Sequence, residues 1–347
     1  MTRSNPLGTR IPLIQAPMAG VQGSALALEV CRAGALGSLP AAMLGPEALE
    51  QELSVLAAQS TGPWSANFFC HASPQPDAAA SRRWREALSP YYDEYGIAPD
   101  AIAPGAARRP FDADALALLE RYRPAVVSFH FGLPDATLLD RIKALGILVL
   151  SSATTVAEAR WLEAHGADVI IAQGLEAGGH RGMFLEQDLT GQLGTLALVP
   201  QVVDAVRLPV VAAGGIADTR GIRAALALGA CAVQLGTAYL LCPECTTSSV
   251  HRAALAGSGA EHTVLTNVFS GRPARGIVNR VVREVGPMSS AAPAFPLATA
   301  GIAPLRSAAE KQGRGDFSPL WSGQNASGCR AVSAYQLTCE LSAAFAL

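Results

Sequence analysis

His165-Gly166-Ala167-Asp168-Val169-Ile170-Ile171-Ala172-Gln173-Gly174-Leu175-Glu176-Ala177-Gly178-Gly179-His180-Arg181-Gly182 is the stretch from which the fold is read. It follows a helix-length amphipathic segment, Val156–His165, that closes on Gly166, where glycine accepts the left-handed backbone that ends a helix. The next expected strand, Asp168–Ala172, is continuously apolar from Val169 onward rather than alternating, as in a strand covered on both faces. It empties into a loop rich in glycine. The same unit recurs on both sides, from residue 11 to about 241. Strands are expected at Pro12–Gln15, Ala35–Leu39, Ser65–Phe69, Ala125–Phe129, Leu148–Ser151, Asp168–Ala172, Pro209–Ala212 and Ala232–Leu235. Helices are expected at Ser24–Ala33, Pro46–Gln59, Ala113–Tyr122, Ala136–Leu145, Val156–His165, Leu196–Val206 and Thr219–Leu228. Eight doubly buried strands joined by helices argue for an α/β fold, a TIM (β/α)8 barrel. An open doubly wound sheet is the alternative, and periodicity does not separate the two.

Two regions stand outside the repeat. Residues 71–110, rich in Pro, Ala and Arg, form an insertion after the third strand, with a helix expected over Ala78–Leu88. In a barrel they overhang the face where active sites form. Residues 243–347 read as a mainly helical companion subdomain packed on a barrel of residues 1–242. Its expected elements are helices near Ser248–Ala256, Phe295–Gln312 and Val332–Ala346 and an extended stretch at Thr263–Val268.

Composition agrees with a large core. The chain has 347 residues, 50% of them hydrophobic and 16% charged, and a formal net charge of −2. Disorder and a basic, phosphate-gripping surface are thereby excluded, and with the latter a nucleic-acid partner. Met1–Arg10 lacks the apolar core of a signal peptide. Ala224–Cys242 carries no charge, but Gly229, Gln234, Gly236 and Thr237 interrupt it, so it reads as helix, glycine stop and buried strand rather than a membrane span. Seven cysteines without framework spacing suit a reducing cytoplasm. Cys242-Pro243-Glu244-Cys245 has no second ligand pair, so it reads as two unlinked loop thiols rather than a zinc or redox site.

The chemistry gathers in the glycine loops after strands six to eight: 173–182, Ala213-Gly214-Gly215-Ile216-Ala217-Asp218 and Gln234-Leu235-Gly236-Thr237. In barrels the last two loops, with a helix N-terminus, make a phosphate pocket, and glycine lets backbone N–H groups come close. There is neither a G-x-G-x-x-G nor a P-loop, so one phosphate of a mononucleotide or sugar phosphate is expected. The histidines show no common metal spacing. His180, in a strand-end loop, and His130, ending strand four, face the mouth and can serve as acid, base or hydrogen-bond partner. No nucleophile elbow or carboxylate pair supports triad or glycosidase chemistry.

Gln15–Val21, Ser128–Gly132, Ala172–Gly182, Asp218–Thr237, Leu265–Ile277 and Asp316–Gln324 together resemble the class I nitronate monooxygenases, formerly called 2-nitropropane dioxygenases, over nearly the whole chain. The resemblance implies an FMN-dependent enzyme that oxidises alkyl nitronates such as propionate 3-nitronate with O2 to a carbonyl compound and nitrite. It implies phosphate contacts from Gly214, Gly215 and the Leu235-Gly236-Thr237 turn. Asn67, Gln173, Gly178, Gly179 and Gln234 would line the flavin, with Met18 against its ring. His180 would be the catalytic histidine and His130 a substrate-binding one. Met18, Phe131 and Met183 are candidates for an apolar pocket wall, and Tyr91, Tyr92, Tyr95 and Tyr239 for tyrosines facing substrate. A homodimer is compatible with this reading. The alternatives are an NAD(P)H-dependent flavin reductase of enoyl thioesters or quinones on the same scaffold, and a non-redox phosphate-binding barrel.

Overall fold

The computed structural model describes residues 5–75, 77–98, 102 and 108–346. Eight strands form one parallel sheet: β1 (Leu13–Gln15), β2 (Gly37–Pro40), β3 (Trp64–Phe69), β4 (Val126–His130), β5 (Leu148–Ala153), β6 (Val169–Gln173), β8 (Val210–Ala213) and β9 (Ala232–Leu235). The two-residue strand β7 (Gly179–His180) lies outside this sheet. The sheet order is β1-β9-β8-β6-β5-β4-β3-β2, and a parallel bridge between Ile14 and Leu36 joins its two ends. The sheet is therefore a closed (β/α)8 barrel, which decides against the open alternative.

Continuous apolarity is explained by two cores on opposite faces of each strand. Ile14, Leu36, Val169, Ile171 and Val211 share the cluster inside the barrel. Their neighbours Leu13, Ile170, Val210 and Ala212 join the cluster under the helices. Alternate residues point to opposite faces, so a strand covered on both sides must be apolar throughout. The helices between strands are α1 (Ser24–Arg32), α2 (Pro46–Gln59), α3 (Ala78–Tyr95), α4 (Ala113–Tyr122), α5 (Ala136–Ala144), α6 (Val156–Ala164), α7 (Thr195–Ala205) and α8 (Thr219–Ala227). The uncharged Ala224–Cys242 stretch resolves into the end of α8, β9 and a short 3₁₀ turn, Thr237–Tyr239. No helix among the described residues is long and apolar enough to cross a membrane.

The insertion and the tail depart from expectation. Helix α3 continues through Pro90 to Tyr95, beyond the expected end at Leu88. The tail holds α9 (Ser249–Ala256), α10 (Arg280–Val285), α11 (Ala298–Lys311) and α12 (Ala334–Ser342). It also holds β10 (Thr263–Thr266) and β11 (Ala274–Ile277), which with β7 form an antiparallel sheet ordered β10-β11-β7. The tail is thus a helix-and-sheet layer woven into a barrel loop. Helices α3 and α11 pack together: Trp84 Nε1 donates to the Ala298 carbonyl at 3.0 Å and the Tyr92 hydroxyl to the Gly301 carbonyl at 2.6 Å. A Cβ at Gly301 would come within 2.8 Å of the Trp84 ring.

This packing corrects the tyrosine candidates. Tyr91, Tyr92 and Tyr95 belong to the α3–α11 core, and the buried Tyr239 hydroxyl meets Thr338 Oγ1 at 2.8 Å. None of the four lines the cavity at the barrel mouth. No disulfide forms among the described residues, and burial pushes the Cys242 and Cys245 thiols up to about 12.

Candidate active site

The C-terminal ends of the strands open into a cavity of about 1330 Å³, counting its mouth. Of the residues singled out in the sequence, Met18, Asn67, His130, Gln173, Gly178, Gly179, His180, Gly214, Gly215, Gln234, Gly236 and Thr237 all line it. Leu235 does not. Its side chain is buried in the core, and only its carbonyl acts locally, accepting from the Ala16 N–H at 2.8 Å. On a strand of period two, the residue between Gln234 and Gly236 must face the helices.

One end of the cavity is built from backbone. Gly214 and Gly215 sit at φ +117° and +68°, in the region that favours glycine, and a Cβ at Gly214 would come within 2.8 Å of Thr195 Oγ1. The N–H groups of Gly215, Gly236 and Thr237 donate to no protein acceptor among the described residues. The first turn of α8 contributes less than expected. Asp218 already accepts from the Arg220 and Gly221 N–H groups at 2.9 and 3.0 Å, and Arg220 covers its carboxylate. The N–H groups without a protein acceptor at this end therefore belong to the strand-end glycine turns rather than to the first turn of α8.

Other residues that line the cavity are themselves braced. Met18 N–H donates to Gln22 Oε1 at 3.1 Å, and Gln15 Nε2 donates to the same oxygen at 2.7 Å. Asn67 Nδ2 donates to Ser128 Oγ at 2.9 Å. Gln173 spends its amide on the glycine loop, donating to the His180 carbonyl at 3.0 Å and accepting from the Gly182 N–H at 2.7 Å. Strand β7 then pairs Gly179 with Arg275 and His180 with Ala274, which fixes the His180 backbone from the other side.

The two histidines differ in what they leave free. His130 Nε2 faces the His180 carbonyl at 3.1 Å, so that nitrogen carries the proton, and Nδ1 accepts from Ser152 Oγ at 3.1 Å. Both its nitrogens are engaged, so its contact with a ligand is through the ring. His180 Nε2 lies 2.9 Å from Ser270 Oγ, and Ser270 Oγ also reaches the Arg272 carbonyl at 3.3 Å. If the serine proton goes to that carbonyl, Nε2 carries the imidazole proton and Nδ1 keeps its lone pair. His180 Nδ1 has no partner among the described residues.

Electrostatics keep these rings neutral. Burial, followed by the charge of Arg108, holds His180 well below the usual imidazole value. Burial brings His130 down to about 3 and His71 and His251 to about 4. No carboxylate lines the cavity among the described residues, and the one charged lining residue is Arg108. Such a cavity suits an anionic ligand.

The apolar wall also differs from expectation. Phe69, Phe131 and Phe295 form one cluster, with ring centroids 4.8 Å apart for Phe69–Phe131 and 5.5 Å for Phe131–Phe295. Met18 and Phe69 line the cavity, whereas Phe131 and Met183 are buried behind the lining. The Met183 carbonyl accepts from Arg272.

Sequence reading missed the tail's share of the site. Trp321, Gly323 and Asn325 line the cavity. The Gly323 N–H donates to Thr237 Oγ1 at 2.9 Å, and Asn325 Nδ2 donates to the Gly215 carbonyl at 3.1 Å. A Cβ at Gly178 would come within 2.5 Å of the Gly323 nitrogen, so this strap needs glycine beneath it. Its sole signal in the sequence was the family-like segment Asp316–Gln324, whose position no local pattern gives.

The chain has clear relatives. The family model described as nitronate monooxygenase matches residues 3–343. The nitronate monooxygenase of Paraburkholderia phytofirmans is 42% identical over 96% of this chain and 92% of its own. That of Pseudomonas aeruginosa is 43% identical over 95% of each chain. Among solved structures, a nitroalkane oxidase from Streptomyces ansochromogenes superposes with a TM-score of 0.88 at 40% identity, covering 97% of this chain and 96% of that one.

Proposed function

This chain belongs to the nitronate monooxygenase family, and from that premise we propose that it binds FMN and oxidises alkyl nitronates with O2 to a carbonyl compound and nitrite. The phosphate would be held by Gly214, Gly215, Gly236 and Thr237, whose turn supplies N–H donors that lack a protein acceptor. Met18, Asn67, Gln173, Gly178, Gly179 and Gln234 would line the ring. FMN, when bound, supplies the electron acceptor that a nitronate, already a stabilised carbanion, can reduce. The protein orients the substrate and keeps the site free of competing charge. His180 would meet the reacting end of the substrate through Nδ1, as acceptor for the Cα proton where a neutral nitroalkane is taken. For an anion that is already deprotonated, the ring helps position it.

The observation that carries this reading is the neutral His180, with Nε2 tied to Ser270 and, among the described residues, Nδ1 unpartnered and the cavity lined by one cation and no carboxylate. A visible spectrum of the purified protein, followed by nitrite measurement after ethyl nitronate and oxygen are added, tests it. The expected result is a flavin spectrum and nitrite release. His180→Asn should keep the flavin and lose about 100-fold or more of the turnover, in the upper part of the range for acid–base groups. Rapid anaerobic bleaching by NADH but not by a nitronate would instead assign the protein to the flavin reductases. A colourless protein that stays so after reconstitution with FMN would favour a non-redox barrel.

A further inference from the structure

Arg108 is the charged lining residue to which the proposed reading assigns no task. It stands where the insertion returns to the barrel, between β3 and α4. Its backbone is pinned by His71 Nε2, which donates to the Arg108 carbonyl at 3.1 Å. Its guanidinium carbon lies 5.3 Å from the centroid of Phe295, and the His180 ring lies 5.3 Å from the same ring. Arg108 therefore shares an aromatic platform with the imidazole of the candidate active site.

Among the described residues its guanidinium makes no ion pair and no hydrogen bond. The other arginines around the site are occupied. Arg181 holds the carbonyls of Gln173 and Gly174, Arg275 holds Leu175 and Thr263, and Arg272 lies over Phe131 and donates to Met183. A half-buried guanidinium without a counter-ion costs free energy, and burial lowers its pKa. Among the described residues no carboxylate lines the cavity, so a ligand's anion can serve as the counter-ion.

We propose that Arg108 is the anion-recognising residue of this cavity, pairing with an oxyanion of the substrate and so determining specificity for charged over neutral substrates. This rests on the nitronate reading above. The oxyanion is supplied either by the nitronate group or by a carboxylate on its alkyl chain, and the chemistry at the guanidinium is the same.

The test compares wild type, Arg108→Met and Arg108→Lys in the FMN-loaded protein. Ethyl nitronate and propionate 3-nitronate are the substrates, and inorganic nitrate, titrated by calorimetry, is an unreactive oxyanion. Truncating one partner of a desolvated charge pair is expected to cost about tenfold or more. Arg108→Met should lose that much in kcat/KM and in nitrate affinity, and Arg108→Lys should recover part of both. Loss with both substrates places the pairing at the nitronate group, and loss confined to propionate 3-nitronate places it at the carboxylate. Unchanged kcat/KM for both substrates, or equal nitrate binding by wild type and Arg108→Met, overturns the proposal. Loss of flavin from Arg108→Met also overturns it, by assigning the guanidinium to the cofactor. If wild type releases no nitrite, the nitronate reading fails, and the nitrate titration still decides whether Arg108 reads anions.

Discussion

Four imidazoles, those of His71, His130, His180 and His251, are held neutral in the folded chain, and this has a consequence for stability that any reaction assignment leaves untouched. Their folded values lie at about 4, about 3, well below 6.5 and about 4, in that order, with burial the first cause in each. In the unfolded chain a histidine titrates near 6.5. Above that pH neither state binds the protons, and stability is complete. As pH falls below it, the unfolded chain takes up protons that the native state refuses. Each such histidine then removes up to about 1.4 kcal/mol per pH unit until its folded pKa is reached. Urea midpoints should therefore drop clearly between pH 7 and pH 5, before the carboxylates begin to titrate. A flat profile over that interval would mean that the rings are not buried in neutral form. The sequence placed His130 and His180 at the mouth because strand ends are recognisable. It did not distinguish them, because the difference lies in Ser152 and Ser270, 22 and 90 residues away.

At the scale of elements, the loop that carries His180 is held by a charge. Arg181 is fully buried and, among the described residues, has no carboxylate in hydrogen-bond contact. Its Nη1 donates to the Gly174 carbonyl at 2.6 Å and its Nη2 to the Gln173 carbonyl at 2.7 Å, while Nε and Nη2 both reach Gln192 Oε1. The strand end is thereby folded back on its own loop, with the neighbouring residue aimed at the cavity. Arg181→Met fills similar volume but takes this donor from the Gln173 carbonyl and from Gln192 Oε1, and leaves the Gly174 carbonyl only the Ala177 N–H. We expect a loss of about 2–4 kcal/mol in unfolding free energy and weakened FMN retention, because Gly178 and Gly179 lie in the same loop. Urea unfolding and flavin release on dilution measure both, and a variant as stable and as yellow as wild type would remove the brace from the account. The eight barrel strands were legible because double burial makes each a short apolar run. Strand β7, two residues long and containing a glycine, has no period to detect. Strand β11 carries the buried Arg275, which reads as a surface residue until its partners, Leu175 and Thr263, are known.

At the scale of the whole molecule, the end of the βα repeat near residue 242 marks where the pattern stops, and we propose that the cooperative unit continues past it. Besides the packing of α11 on α3, the tail crosses back onto the barrel through α12, β11 and the strap at Gly323. Helix α12 places Ala334, Leu337 and Leu341 in the same buried cluster as Leu26 and Val30 of α1. Strand β11 completes a sheet with β7. The strap at Gly323 and Asn325 bonds to Thr237 and to the Gly215 carbonyl, at the end of the cavity proposed for the phosphate. None of these contacts could be read from composition, since each joins segments distant in the chain, α12 and α1 most of all, and leaves no local periodicity. A fragment of residues 1–242 would retain all eight barrel strands but expose the α1 face, take from β7 the strand it pairs with and free the Thr237 hydroxyl from its donor. Removing this much apolar cover from a domain whose net stability is only about 5–15 kcal/mol should leave no stable fold. The fragment is expected to aggregate or to show no cooperative thermal transition, and to bind no FMN, whereas the full chain should melt cooperatively and bind FMN. Calorimetry and gel filtration of the fragment decide the matter. A monomer that melts cooperatively and holds flavin would show the barrel to be autonomous and the tail an accessory, and would return the functional site to the strand-end loops alone.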